Sequence, residues 1–319
     1  MDILISVALL AAGLALLVWG ADALVRGASS IARGLGISPL VIGLTVVAFG
    51  TSMPELTVNL YAAFTGATDI ALGNIVGSNI ANVLLILGVS ALIFPLAVKS
   101  STVRWEIPLA LMAAVLVYVF GQDVWIDAGA ANSLTRSDGI ALLALFVIFM
   151  FYIFALVKTD PPPVSGDTPT YSKGKAVGLM LLGLGGLVFG GKLLVDNAIV
   201  LARLAGLSEA LIGLTVVAIG TSLPELATSV VAAWRREMDI AIGNVVGSNI
   251  FNVFWILGLT AVITPLPAPE GFARDALVMV LVTLALFLAL FIGKRHQLDR
   301  WQGGAFLLAY IAYVIFLVI

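Results

Sequence analysis

The segment GLTVVAFGTSMPEL that begins at Gly43 returns as GLTVVAIGTSLPEL at Gly213, and GNIVGSNIANV at Gly73 returns as GNVVGSNIFNV at Gly243. Both copies lie 170 residues apart, and residues 42–88 set without a gap on 212–258 share 30 identities in 47 positions. The register extends upstream to Trp19/Phe189 and downstream to Pro95/Pro265 and Arg104/Arg274. Chance does not produce such a match, so the chain is a duplication. Whatever fold it adopts must give the two halves equivalent surroundings.

Those surroundings are lipid. Of 319 residues, 61% are hydrophobic and 11% are charged, against about 25% charged in an ordinary soluble domain. Mean hydropathy is +1.14. A soluble enzyme, a nucleic-acid binder and a disordered chain are excluded, because none could cover such a surface with polar groups. Apolar segments long enough to cross roughly 30 Å of hydrocarbon run near 3–25, 38–64, 70–94, 105–121, 139–157, 175–201, 209–234, 240–263, 275–293 and 301–318. Lipid cannot satisfy open backbone groups, so these ten segments are expected to be helices. The first has no basic residues before it and extends to about Val25, which fits a retained span and not a cleaved leader.

Each half then holds five spans, and an odd number turns the second half upside down in the membrane. The expected fold is therefore an all-α integral membrane protein of ten transmembrane helices in two inverted five-helix repeats, the plan of many secondary transporters. Residues 1–158 form the first repeat and 175–319 the second. Between them, 159–174 (TDPPPVSGDTPTYSKG) reads as a Pro-rich cytoplasmic linker, too short for a regulatory domain. With both termini outside, twelve Lys and Arg fall in cytoplasmic loops and only Arg136, Lys192, Arg203 and Arg274 outside. That bias supports this orientation in the cell (inner) membrane.

Four spans break the apolar pattern. The second carries Gly50-Thr51-Ser52-Met53-Pro54-Glu55 and the seventh Gly220-Thr221-Ser222-Leu223-Pro224-Glu225. A carboxylate near mid-span costs at least about 2.5–3.5 kcal/mol on insertion scales. No Lys or Arg is expected at that depth, so Glu55 and Glu225 are either protonated or bind mobile cations. Pro54 and Pro224 lack an N–H and push on the preceding turn. Beside Gly50 and Gly220 they should break the helices and free carbonyls near Ala48, Thr51, Ala218 and Thr221. Broken helices in transporters coordinate ions with such carbonyls. The third and eighth spans, expected to be broken too, add Ser78 and Asn82, then Ser248 and Asn252, each pair four residues apart on one face. With the hydroxyls of Thr51, Ser52, Thr221 and Ser222, the pooled set is oxygen-rich. The chain has no cysteine, and its single His296 lies beside Lys294 and Arg295 in a loop. Such a set suits hard cations. Ca²⁺ accepts roughly 6–8 oxygens in flexible geometry, whereas Mg²⁺ tends to keep its waters. Two ionised Glu neutralise one Ca²⁺.

At these residues the sequence resembles the cation/calcium exchanger superfamily, specifically its prokaryotic sodium/calcium exchanger branch. The paired GTSMPE/GNIVGSN and GTSLPE/GNVVGSN motifs carry the resemblance, and the 5+5 plan spans the chain. It implies secondary active exchange of Na⁺ for Ca²⁺ by alternating access, three to one and electrogenic. It places the ions among Glu55, Glu225, Thr51, Thr221, Ser52, Ser222, Ser78, Ser248, Asn82 and Asn252, with the carbonyls of Ala48 and Ala218. Glu55 and Glu225, with the carbonyls of Thr51 and Thr221, would form the calcium site. Potassium-dependent relatives have Asp where this chain has Asn252, so K⁺ independence is implied, although some prokaryotic exchangers also have Asp there. The implied partners are Ca²⁺, Na⁺ and the bilayer, with no nucleic acid and no cofactor. A monomer suffices, and the oligomeric state is left open.

Other features have plainer readings. Asn74, Asn79, Asn244 and Asn249 are expected at helix breaks or in packing. Asp22 with Arg26, and Lys192 with Asp196, read as helix-end ion pairs. Asp69 and Asp239 complement helix amino termini. Competing functions remain: H⁺/Ca²⁺ exchange on the same fold, a passive channel and, remotely, an intramembrane hydrolase, for which no HExxH or Ser/His arrangement exists.

Overall fold

The computed structural model describes residues 3–126, 129, 131–159, 171–204 and 220–318. Its main helices are α1 (Ile3–Leu35), the bent pair α2 (Pro39–Thr51) and α3 (Met53–Thr65), α4 (Ile70–Ile93), α5 (Ser100–Phe120), α6 (Arg136–Thr159), α7 (Lys173–Leu204), α8 (Leu223–Trp234), α9 (Met238–Ile263), α10 (Phe272–Ala289) and α11 (Arg300–Val318). Among the described residues, eight helices are long and apolar enough to span, or nine if α2 and α3 count as one span. The chain is thus an all-helical, multi-span membrane protein. The first part of the expected seventh span, Ala218 included, lies outside the described residues, as does most of the central linker. Large apolar side chains such as Phe151, Phe154 and Leu308 face outward, as a lipid-solvated exterior requires.

Local chemistry sets the ends. Ser38 caps α2, its Oγ accepting from the Leu40 N–H at 3.3 Å, with Pro39 in the first turn. Gly66 closes α3 at φ 76°, a left-handed conformation that glycine adopts without strain. The repeat puts Arg236 at the equivalent place with φ 60°, and its guanidinium lies 5.3 Å from the Phe94 ring centre.

Before Pro54, α2 and α3 meet at Ser52 with a 45° bend. The third and eighth spans behave differently. Each runs on as a single helix, of 24 residues in α4 and 26 in α9. In place of a break, each has a π-helical stretch, Asn82–Leu87 and Phe251–Leu257. Without a proline inside, these helices accommodate the polar centre by widening a turn, a feature that recurs at functional sites.

Three antiparallel contacts organise the bundle. Helices α1 and α7 pack backbone to backbone through glycines. A β-carbon on Gly20 would lie 2.8 Å from the Gly183 carbonyl oxygen, and one on Gly183 would lie 2.6 Å from the Leu24 nitrogen. Small residues allow such approach in lipid, where dispersion replaces the hydrophobic effect as the driving force. At the helix ends, Leu96–Ala97 pairs antiparallel with Gln297–Leu298, and Ser133–Leu134 with Leu266–Pro267. Each ribbon joins one half of the chain to the other. The core fills the middle: α4 and α9 are the most buried spans, each 78% buried over its most apolar stretch.

Candidate cation site

Glu55 and Glu225 occupy the first turns of α3 and α8, helices that start inside the bundle. A helix amino terminus has unpaired N–H groups and a partial positive charge. This placement stabilises a carboxylate without a basic residue. Both glutamates are 1% exposed, and no Lys or Arg among the described residues pairs with either. Their neighbours are hydroxyls, and the pattern crosses between halves. Ser52 Oγ donates to Glu225 Oε1 at 2.9 Å, and Ser222 Oγ reaches Glu55 Oε1 at 3.4 Å. Within each half, Ser78 Oγ lies 3.4 Å from Glu55 Oε1 and Ser248 Oγ 3.4 Å from Glu225 Oε1.

One oxygen of each carboxylate is thereby occupied. The other, Oε2 of Glu55 and of Glu225, is buried and has no hydrogen-bond partner, and the same holds for Oδ1 of Asn82 and Asn252. Buried polar atoms are seldom left unpaired, and each exception calls for an explanation. Asn82 follows Ser78 by one turn on the same face of α4, and Asn252 follows Ser248 likewise on α9. These two halves thus leave four buried oxygens without a hydrogen-bond partner, two of them acidic. No cluster of three or more His, Cys, Asp or Glu occurs among the described residues, so the charge of the set rests on the two glutamates.

Thr51 and Thr221 are brought here too, and their hydroxyls point across the halves: Thr51 Oγ1 lies 3.0 Å from Asn244 Oδ1, and Thr221 Oγ1 lies 3.3 Å from Asn74 Oδ1. Ala48 requires a correction. Its carbonyl is not freed by the break, since it accepts the Ser52 N–H at 3.0 Å, and Thr51 Oγ1 lies 3.3 Å away. The donor four residues after Ala48 is Ser52, which precedes the proline. Pro54 deprives Gly50 of its partner instead. Ala218 lies outside the described residues.

Sequence reasoning missed Asn59, Ser229 and Glu106, and it read Asn74 and Asn244 only as helix-break or packing residues. Asn74 Nδ2 is 3.4 Å from the Glu55 carbonyl and 2.7 Å from Asn59 Oδ1. Asn244 Nδ2 is 3.3 Å from the Glu225 carbonyl and 3.0 Å from Ser229 Oγ. The Asn74/Asn244 pair thus holds the backbone of the glutamates, and the 170-residue offset linking Asn59 to Ser229 was the available signal. Glu106, a third buried acid, sits in α5 and accepts from Tyr152 Oη of α6. Its lone place in an apolar span was legible. A cavity of about 370 Å³ is bounded by Asn74, Ser78 and Thr221 at the site and by Glu270, Asp275 and Tyr313 beyond it.

Residues 5–155 and 175–319 match the family described as sodium/calcium exchanger protein. The chain belongs to that family. It is 34% identical over 316 residues to the sodium/calcium exchanger MaX1 of Methanosarcina acetivorans, covering 89% of this chain and 90% of that one. It is 28% identical over 294 residues to the Ca²⁺/H⁺ antiporter ChaA of Bacillus subtilis, covering 87% and 82%. Among solved structures, the sodium-calcium exchanger NCX_Mj soaked with zero Na⁺ and Ca²⁺ superposes with a TM-score of 0.84 at 34% identity, over 98% of this chain and 99% of that one.

Proposed function

We propose that the protein is a secondary antiporter that exchanges Na⁺ for Ca²⁺ by alternating access, electrogenic at three to one and independent of K⁺. The observation that carries this reading is the set of four unpartnered, buried oxygens on Glu55, Glu225, Asn82 and Asn252. Two carboxylates offset the charge of one Ca²⁺, and neutral oxygens complete the coordination a hard cation requires. Glu55, Glu225, Ser52, Ser222, Ser78, Ser248, Asn82, Asn252, Thr51 and Thr221 hold the ions, which are cargo.

The same reading makes the chain two inverted five-helix repeats, 1–158 and 175–319, with both termini outside an inner membrane and the 159–174 linker cytoplasmic. The antiparallel packing of α1 on α7, equivalent helices of the two halves, supports the inversion. Arg33, Lys99 and Arg235 gather at one end with Glu237, Asp239 and Asp22, in keeping with a basic cytoplasmic face. During exchange α1 and α7 slide as a pair over the other helices while the ligand cluster stays fixed. No broken backbone hydrogen bond is needed at their shared glycine face.

Carboxylates also carry protons, and the likeness to a Ca²⁺/H⁺ antiporter keeps proton coupling as the second reading. Reconstituted vesicles discriminate. An outward-directed sodium gradient should drive Ca²⁺ uptake, and a potassium gradient should not. Uptake driven by a proton gradient without sodium replaces the first reading with the second. Flux indifferent to every counter-ion overturns both.

A further inference from the structure

Asn79 and Asn249 follow the serines of the cluster, and neither contacts a carboxylate. Their amides are nonetheless oriented by groups that cannot turn round. A main-chain carbonyl only accepts. Asn79 Nδ2 lies 3.2 Å from the Asn249 carbonyl oxygen, so the Asn79 amide must point its nitrogen there. Its Oδ1 then faces Asn252, whose Nδ2 donates to it at 3.0 Å. Asn252 has thereby committed its nitrogen, and its Oδ1 is left on the other side, buried and unpartnered. The second half repeats the chain. Asn249 Nδ2 reaches the Asn79 carbonyl at 3.5 Å, Asn82 Nδ2 donates to Asn249 Oδ1 at 2.9 Å, and Asn82 Oδ1 is left unpartnered.

The two ends of an Asn amide are nearly the same size, so shape alone does not decide which faces a cavity. For a cation the difference is decisive, because a flipped amide would offer N–H hydrogens where an oxygen ligand is needed. We propose that Asn79 and Asn249 are positioning residues that hold the amides of Asn252 and Asn82 with their oxygens turned into the cation site, each half orienting the ligand of the other. The polarity of the whole relay is set by two backbone carbonyls, so it survives ion departure and rebinding. The inference rests on the cation-site reading above and adds what fixes its two neutral ligands.

The test is a double-mutant cycle on the purified full-length protein in detergent. It reads the Ca²⁺ concentration that half-maximally raises the melting temperature. Asn79→Ala should increase that concentration at least tenfold. In an Asn252→Asp background the carboxylate presents an oxygen in either rotamer, so the same Ala substitution should change it less than threefold. An equal factor in both backgrounds, or no change in either, overturns the proposal and leaves Asn79 as helix packing. If Asn79→Ala does not fold, the mirror pair Asn249→Ala and Asn82→Asp gives the same cycle. A parent protein that Ca²⁺ does not stabilise would instead overturn the cation site itself.

Discussion

Ser52 and Glu225, 173 residues apart in the chain, share a buried 2.9 Å hydrogen bond. The hydroxyl of one repeat therefore steadies the carboxylate of the other. Neither half forms this contact alone.

Glu55→Gln and Glu225→Gln should each reduce Ca²⁺ uptake into vesicles to background while the protein still purifies folded. A neutral side chain lowers the insertion cost but removes half the negative charge of the ligand set. Wild-type-like uptake in either variant would remove the glutamates from the site.

Gly20→Val and Gly183→Val should destabilise the protein by at least about 1–3 kcal/mol, the usual cost of overpacking. A β-carbon at either place would lie within 2.8 Å of backbone, which cannot give way as a side chain can. Gly185→Ala on the same helix meets nothing within 4 Å among the described residues and should be neutral or slightly stabilising. Thermal unfolding in detergent compares the three.

Tyr152→Phe takes a hydrogen-bond donor from the buried Glu106 carboxylate. A loss of about 1–3 kcal/mol in stability is expected, with the half-saturating Ca²⁺ concentration unchanged. A shift in that concentration would instead connect α5 and α6 to the ion site.

Asp22 of α1 pairs with both Arg26, at 2.8 Å, and Arg235 beyond α8. These groups are partly exposed, so each pair contributes at most about 1 kcal/mol. If α1 moves during the cycle, Arg235→Gln should speed exchange by up to about fivefold with little change in half-saturation. Raising ionic strength with a sodium-free salt should act in the same direction. An unchanged rate would mean that α1 keeps its place.

Much of this was written in the sequence. The 170-residue repeat revealed Glu55 and Glu225 together, and their cost in lipid pointed to ions. The Pro54 bend was legible because a missing N–H has a local effect. What crosses between halves was not legible. Nothing in the strings GTSMPE and GNIVGSN says that Ser52 bonds Glu225 or that Asn79 accepts from Asn252, since those partners meet only through tertiary packing. The π-helical turns at Asn82 and Phe251 were hidden for a related reason, as no residue type encodes them. The expected release of the Ala48 carbonyl failed on a matter of counting, because its donor lies on the near side of the proline.

The short ribbons joining Leu96–Ala97 to Gln297–Leu298 and Ser133–Leu134 to Leu266–Pro267 bear on biosynthesis. While the first repeat emerges from the translocon, its strand edges have nothing to close against until the second has been made. Duplication produced two copies, but stitching has made them interdependent. A gene cut at the linker should yield a working exchanger only when both fragments are produced in the same cell.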